Sequence, residues 1–122
     1  MKHLIQAYIE AYNAKDIPAM LALLDDHIVF ENVSNTLGIT KTTSKSEFEQ
    51  IAIQSVTYFS ERKQTIRFLL VGTNAAAVEI DYQATLAQDL PNGLKAADQL
   101  SLRGVSLFEI QNGKITRISD YS

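Results

Sequence analysis

The order of periodicities along the chain predicts an α+β domain with a curved antiparallel sheet. Helix-spaced apolar residues and helix caps occupy the first half. Long segments of alternating apolar and polar residues begin near Gln64, and turn signals separate them.

The first helix is read from Leu4, Ile5, Tyr8, Ala11 and Tyr12, which form one stripe at helical spacing. Asn13-Ala14-Lys15 interrupts it. Asp16 then suits an N-cap, with Pro18 tolerated in a first turn whose amides lack intrahelical partners. This second helix runs through Leu24 and ends at Asp25-Asp26. His27 to Asn32 is short and β-rich, a first strand, and a polar loop is expected from Ser34 to Thr43.

Ser44-Lys45-Ser46-Glu47 is a capping box. The helix it opens carries Phe48, Ile51, Ala52, Ser55 and Phe59 along one side. Strands are then expected from Ile66 to Val71, Ala75 to Gln88, Gln99 to Ile110 and Ile115 to Tyr121. Gly72-Thr73-Asn74 and Asp89-Leu90-Pro91-Asn92-Gly93 supply turns. Asn112-Gly113 is a hairpin signal, because both residue types accept positive φ.

The chain has 122 residues, the size of one domain over residues 1–122. Its 11 basic and 14 acidic residues give a net charge of −3, which is not the basic footprint of a nucleic-acid binder. There is no cysteine, so disulfides, thiolate nucleophiles and Cys-containing zinc sites are excluded. His3 and His27 are the only histidines and are not at ligand spacing, so no metal is expected. A Gly-rich phosphate loop is missing, so no cofactor is expected either. No apolar window is long enough to span a bilayer and the N-terminus lacks a signal-peptide pattern, which makes a cytoplasmic location the expectation.

Long, strongly twisted strands curl, and helices laid on the concave side enclose a hollow suited to a small hydrophobic ligand. In the Ala75 to Gln88 segment, amphipathicity turns Val78, Ile80, Tyr82 and Leu86 inward, but the opposite phase stays open. The Val105 to Ile110 segment is apolar on both faces, which predicts a homodimer through the outer sheet face.

Three segments carry a family resemblance: Tyr8 to Asp16, Leu24 to Glu31, and Leu107 to Tyr121. With the element order, they resemble the NTF2-like superfamily, in its SnoaL-like and ketosteroid-isomerase-like branches. The resemblance implies a cone with three N-terminal helices on the concave face of the sheet. It also implies candidate chemistry: a cofactor-free proton-transfer isomerase or lyase acting on a small apolar carbonyl compound. The alternative is a catalytically silent ligand-binding or dimerisation domain.

By this resemblance Glu31 takes the place of the carboxylate base, although ketosteroid isomerases use Asp there. Tyr8 takes the place of the oxyanion donor, while its position on the apolar stripe equally suits core packing. Ser106 stands where those enzymes carry a neutral Asp. Asp120 resembles the water-activating Asp of limonene-epoxide-hydrolase-like members, whose partner Arg and Asp on the middle strand correspond here to Gln83 and Thr85. A one-step shift with a bulge would instead bring Asp81 near. Ser106, Tyr12, Phe59, Tyr82, Phe108 and Ile118 are the expected lining of the substrate site.

Overall fold

A computed structural model describes residues 1–34, 38–91 and 93–122. The chain runs α1 (Lys2–Asn13), α2 (Ile17–Ala22), β1 (Leu24–Ser34), β2 (Gly38–Thr42), α3 (Lys45–Val56), β3 (Phe59–Val71), β4 (Ala75–Leu86), β5 (Gln99–Gln111) and β6 (Lys114–Tyr121). The six strands form one curved, unclosed sheet in the order β2-β1-β6-β5-β4-β3. Three helices pack with it, the α+β architecture of an NTF2-like cone.

All strand pairings are antiparallel except β1 with β6. A parallel pair needs a long connection. Here α3 and the β3-β4-β5 meander supply it, so the last strand returns beside the first. This pairing decides which residues share a face with the helices.

α2 and α3 begin where side chains satisfy free backbone amides. Asp16 Oδ1 accepts from the Ala19 amide at 3.1 Å, and Ser44 Oγ accepts from the Glu47 amide at 3.2 Å. The Glu47 carboxylate reaches one residue beyond the usual box and accepts from the Thr43 amide at 2.9 Å. Lys15 turns the chain out of α1 with φ of 57°. Its Nζ donates to the carbonyls of Phe59 at 2.7 Å and Ser60 at 3.0 Å.

β3 is an edge strand, and the side-chain amide of Asn13 takes both outward backbone groups of Gln64, at 2.7 and 3.0 Å. The end of α1 is thereby bolted to β3, and an otherwise open sheet edge is covered there.

Several boundaries differ from the sequence expectation. Part of the expected loop after Ser34 is β2, paired to β1 from Phe30↔Thr42 to Ser34↔Gly38; residues 35–37 of that loop lie outside the described residues. Phe59 is not on α3 but opens β3, which starts well before Ile66. The polar run Ser60-Glu61-Arg62-Lys63 hid the strand, since only one face of an edge strand needs to be apolar. The turn expected at Asp89 to Gly93 includes Asn92, also outside the described residues. At the β5–β6 hairpin, Asn112 and Gly113 both have positive φ, 52° and 75°, as the primed turn requires.

The core lies between sheet and helices. Ile5, Tyr8 and Ile9 of α1 and Phe48 of α3 meet Val78, Ile80, Phe108, Ile110 and Ile118 of the sheet. On β4 the apolar phase faces inward. Glu79 and Asp81 face outward, where Arg67 pairs with both and Arg103 with Asp81. Among the described residues, no helix is long and apolar enough to cross a membrane.

Candidate functional site

Side chains alternate across a strand, so the pairing register assigns each candidate to a face. On β5, Ser106, Phe108 and Ile110 are buried toward the helices, while Val105 and Leu107 are exposed on the other side. Asp120 pairs with Ser106, and Ile118 with Phe108, so both β6 residues point inward. Ser119 and Arg117 point outward with Leu107 and Glu109.

Glu31 pairs with Ser119 in β1–β6 and therefore lies on the outer face. This corrects the expectation that it projects into the cone. The inward neighbour is Phe30, whose ring meets Phe48 of α3 edge-on at 5.3 Å. The Glu31 carboxylate accepts from Arg117 Nη2 at 2.6 Å and from Ser119 Oγ at 2.9 Å. The Ser119 hydroxyl first, then the Arg117 guanidinium, holds its pKa below the usual value. A carboxylate stabilised in its charged form is a poor proton acceptor, and it is separated from Tyr8 by the sheet.

Asp120 has the opposite environment. Its Oδ1 accepts from Ser106 Oγ at 2.6 Å. Burial pushes its pKa up to about 6, against the lowering effect of that hydrogen bond. The side chain keeps some exposure, and its neighbour in register on β1 is the exposed Asn32, which places the carboxyl near the rim of the cone.

Tyr8 comes down from α1 with its ring edge-on to Phe108 at 5.9 Å. Its phenol is raised well above the ordinary value, first by burial, then by the charge of Asp120 and by Tyr12, with Arg62 acting the other way. It therefore stays protonated as a hydrogen-bond donor.

One helical turn along α1, about 6 Å, Tyr12 begins a second group. The Tyr12 and Tyr82 hydroxyls are hydrogen-bonded at 3.1 Å, and Phe59 lies edge-on to Tyr82 at 6.2 Å. Burial raises the pKa of both tyrosines. The structure thus gathers the expected lining residues into two adjoining clusters. Ser106, Phe108 and Ile118 lie with Asp120 and Tyr8; Tyr12, Phe59 and Tyr82 lie together beyond them.

Arg62 belongs to the second cluster and escaped the sequence reading. It is 6% exposed, and its guanidinium stacks 3.7 Å from the Tyr12 ring centroid. The available signal was its phase: Arg62, Gln64 and Ile66 alternate with outward residues, so a charged side chain had to point into the cone. Gln83 and Thr85, in the places of the epoxide-hydrolase relay, face outward. Asp81 does too, so no shift brings it toward Asp120.

A single roomy hollow between sheet and helices was expected. Two hollows among the described residues lie on the outer side. The larger, about 620 Å³, is lined by Leu70, Val71, Ala77, Leu107, Arg117 and Tyr121, among others. Inside the cone, Phe108, Ile118 and Phe48 are buried. No group of three or more His, Asp or Glu side chains able to hold a metal occurs among the described residues.

With this geometry in place, a family match is decisive: the SnoaL-like domain family matches residues 5–118. The chain belongs to the SnoaL-like family. Among solved structures, this SnoaL-like chain is similar to a candidate polyketide cyclase from Xanthomonas campestris. The identity is 21%, the TM-score 0.79, and the match covers 99% of this chain and 88% of that one. It also resembles a hypothetical protein with a ketosteroid isomerase-like fold from Catenulispora acidiphila, solved with trimethylamine. There the identity is 14% and the TM-score 0.79, over 98% of this chain and 84% of the other. An LEH-like epoxide hydrolase from M. tuberculosis matches at 17% identity and TM-score 0.77, over 98% and 79%. A search of curated protein sequences finds no match. At these identities the likenesses carry the NTF2-like fold and not an activity.

Proposed function

We propose that this SnoaL-like protein is a cofactor-free proton-transfer enzyme, isomerase- or lyase-like, acting on a small carbonyl compound, with Asp120 as the base. The observation that carries this is the Asp120 carboxyl, held by Ser106 and raised to about 6 by burial. A base of that pKa is largely deprotonated at neutral pH, yet basic enough to take a proton from carbon.

In the proposed step, Asp120 removes the proton α to the carbonyl. The C–H electron pair forms the enolate, and Tyr8, kept protonated by burial, donates a hydrogen bond to the developing oxyanion. Asp120 then returns the proton to another carbon, or loses it to water as a β-leaving group departs. Glu31 has no part in it.

The test is α-proton exchange. Cyclic enones, lactones and epoxides are first screened by thermal shift, since binding raises stability by mass action. The carbonyl compounds that bind are then incubated in D2O and followed by NMR. Wild type is expected to exchange α-protons, and Asp120→Asn to lose on the order of a hundredfold or more. Binders that show no exchange with wild type would overturn the proposal.

A second reading, a silent ligand-binding or dimerisation domain, is favoured by the outer face. There Phe68 and Leu70 are each 58% exposed and Leu107 is 41% exposed. The charges beside them are already paired within the chain, Arg67 and Arg103 with Asp81 and Arg117 with Glu31. A second copy would therefore meet a neutral apolar belt. Dimerisation through this face is compatible with either reading. Epoxide hydrolysis has less support, because the relay positions point away from Asp120.

A further inference from the structure

The geometry points to Arg62 as an anion-binding subsite, so that the ligand of the cone is a small carbonyl compound carrying a carboxylate. This rests on the proposed proton-transfer reading and adds a substrate class to it.

Arg62 is a cation buried without a counter-ion. Its Nε donates to the Tyr12 carbonyl at 3.2 Å, and Nη1 reaches Ser55 Oγ at 3.5 Å. Nη2 is buried with no partner, and among the described residues no carboxylate lies within ion-pair distance. The side chains it meets in the hydrogen bond and the stack are the neutral Ser55 and Tyr12. A guanidinium taken out of water costs several kcal/mol unless a negative group meets it, and its remaining N–H groups match a carboxylate in geometry and charge.

The stacked Tyr12 ring fixes the plane of the guanidinium, so the free edge is held in one direction. Tyr12, which stacks on Arg62, lies one helical turn along α1 from Tyr8, and the Tyr8 ring meets Phe108, two residues along β5 from the Ser106 that pairs with Asp120. A ligand anchored by its carboxylate at Arg62 would direct its carbonyl end along α1 toward Tyr8 and Asp120. Anchoring at a site remote from the reacting carbon is how binding energy positions a substrate.

The test compares two probes by titration calorimetry: a cyclohexanone bearing a ring carboxylate and its methyl ester. Wild type is expected to bind the carboxylate at least about tenfold more tightly than the ester. Arg62→Gln should abolish the preference, and Arg62→Lys, which keeps the charge but loses the planar fork, should keep only part of it. Asp120→Asn should leave the preference in place. Equal binding of the two probes by wild type, no binding of either, or a preference surviving in Arg62→Gln would overturn the inference. If Arg62→Gln does not fold, a full preference in Arg62→Lys counts against the fork geometry. The outcomes separate the two proposals: a carboxylate preference without α-proton exchange removes only the catalytic reading, and exchange without the preference removes only this one.

Discussion

Ser106 Oγ donates to Asp120 Oδ1 at 2.6 Å across the β5–β6 pair, on the face that meets the helices. The hydroxyl stabilises the carboxylate while burial opposes it, and burial wins, leaving a pKa of about 6. This balance gives the first prediction. Asp120 binds its proton more tightly in the folded chain than at its ordinary value of 3.8, so its contribution to stability is full below that value and is lost as pH rises through about 6. The span of roughly two pK units corresponds to about 3 kcal/mol. Urea unfolding should show Asp120→Asn gaining on wild type between pH 4 and pH 8. Carboxyl NMR should place the Asp120 titration near pH 6, and Ser106→Ala should move it higher.

Glu31 should prove dispensable for proton transfer. Its carboxylate is on the far side of the sheet, bound to Arg117 and Ser119. Glu31→Gln is expected to leave α-proton exchange within about twofold of wild type. Because its pKa is lowered, its contribution to stability is present above the ordinary value of 4.5 and lost as pH falls through the folded value. Loss of exchange in this variant would restore it as the base.

Gly104 should resist substitution. A Cβ built there would stand 2.6 Å from the Tyr121 carbonyl oxygen, closer than any relaxed contact. Either β5 or the end of β6 must move, and Asp120 precedes Tyr121. Gly104→Ala should lower the urea midpoint by the equivalent of about 1–3 kcal/mol. Amide exchange should quicken at the end of β6. A variant as stable as wild type would show that the two strands separate freely there.

The outer face should hold two copies together. Sedimentation at micromolar concentration is expected to give a dimer for wild type and a folded monomer for Leu107→Asp, which puts a charge in the centre of the apolar belt. A wild-type monomer would leave Phe68, Leu70 and Leu107 without the cover assigned to them.

Local signals in the sequence were sufficient for most elements. The stripe of α1, the Asp16 and Ser44 caps, the alternation of β4 and the Asn112-Gly113 hairpin each depend on neighbours a few residues away, and each is found where its pattern implied. The three segments that carry the family resemblance were sufficient for the NTF2-like cone. The functional faces were another matter. Whether Phe30 or Glu31 turned inward depended on β1 lying parallel to β6, a contact between segments far apart in the chain. A slip of one residue exchanges every side chain between core and outer face, which is how Glu31 came to be expected in the cone. Arg62 was hidden in a charged run, and its meaning came only when β3 formed an edge clamped to α1, closing Tyr12 over the guanidinium. Residue type and spacing determined which elements form; strand register, set by long-range pairing, decided which of their side chains meet.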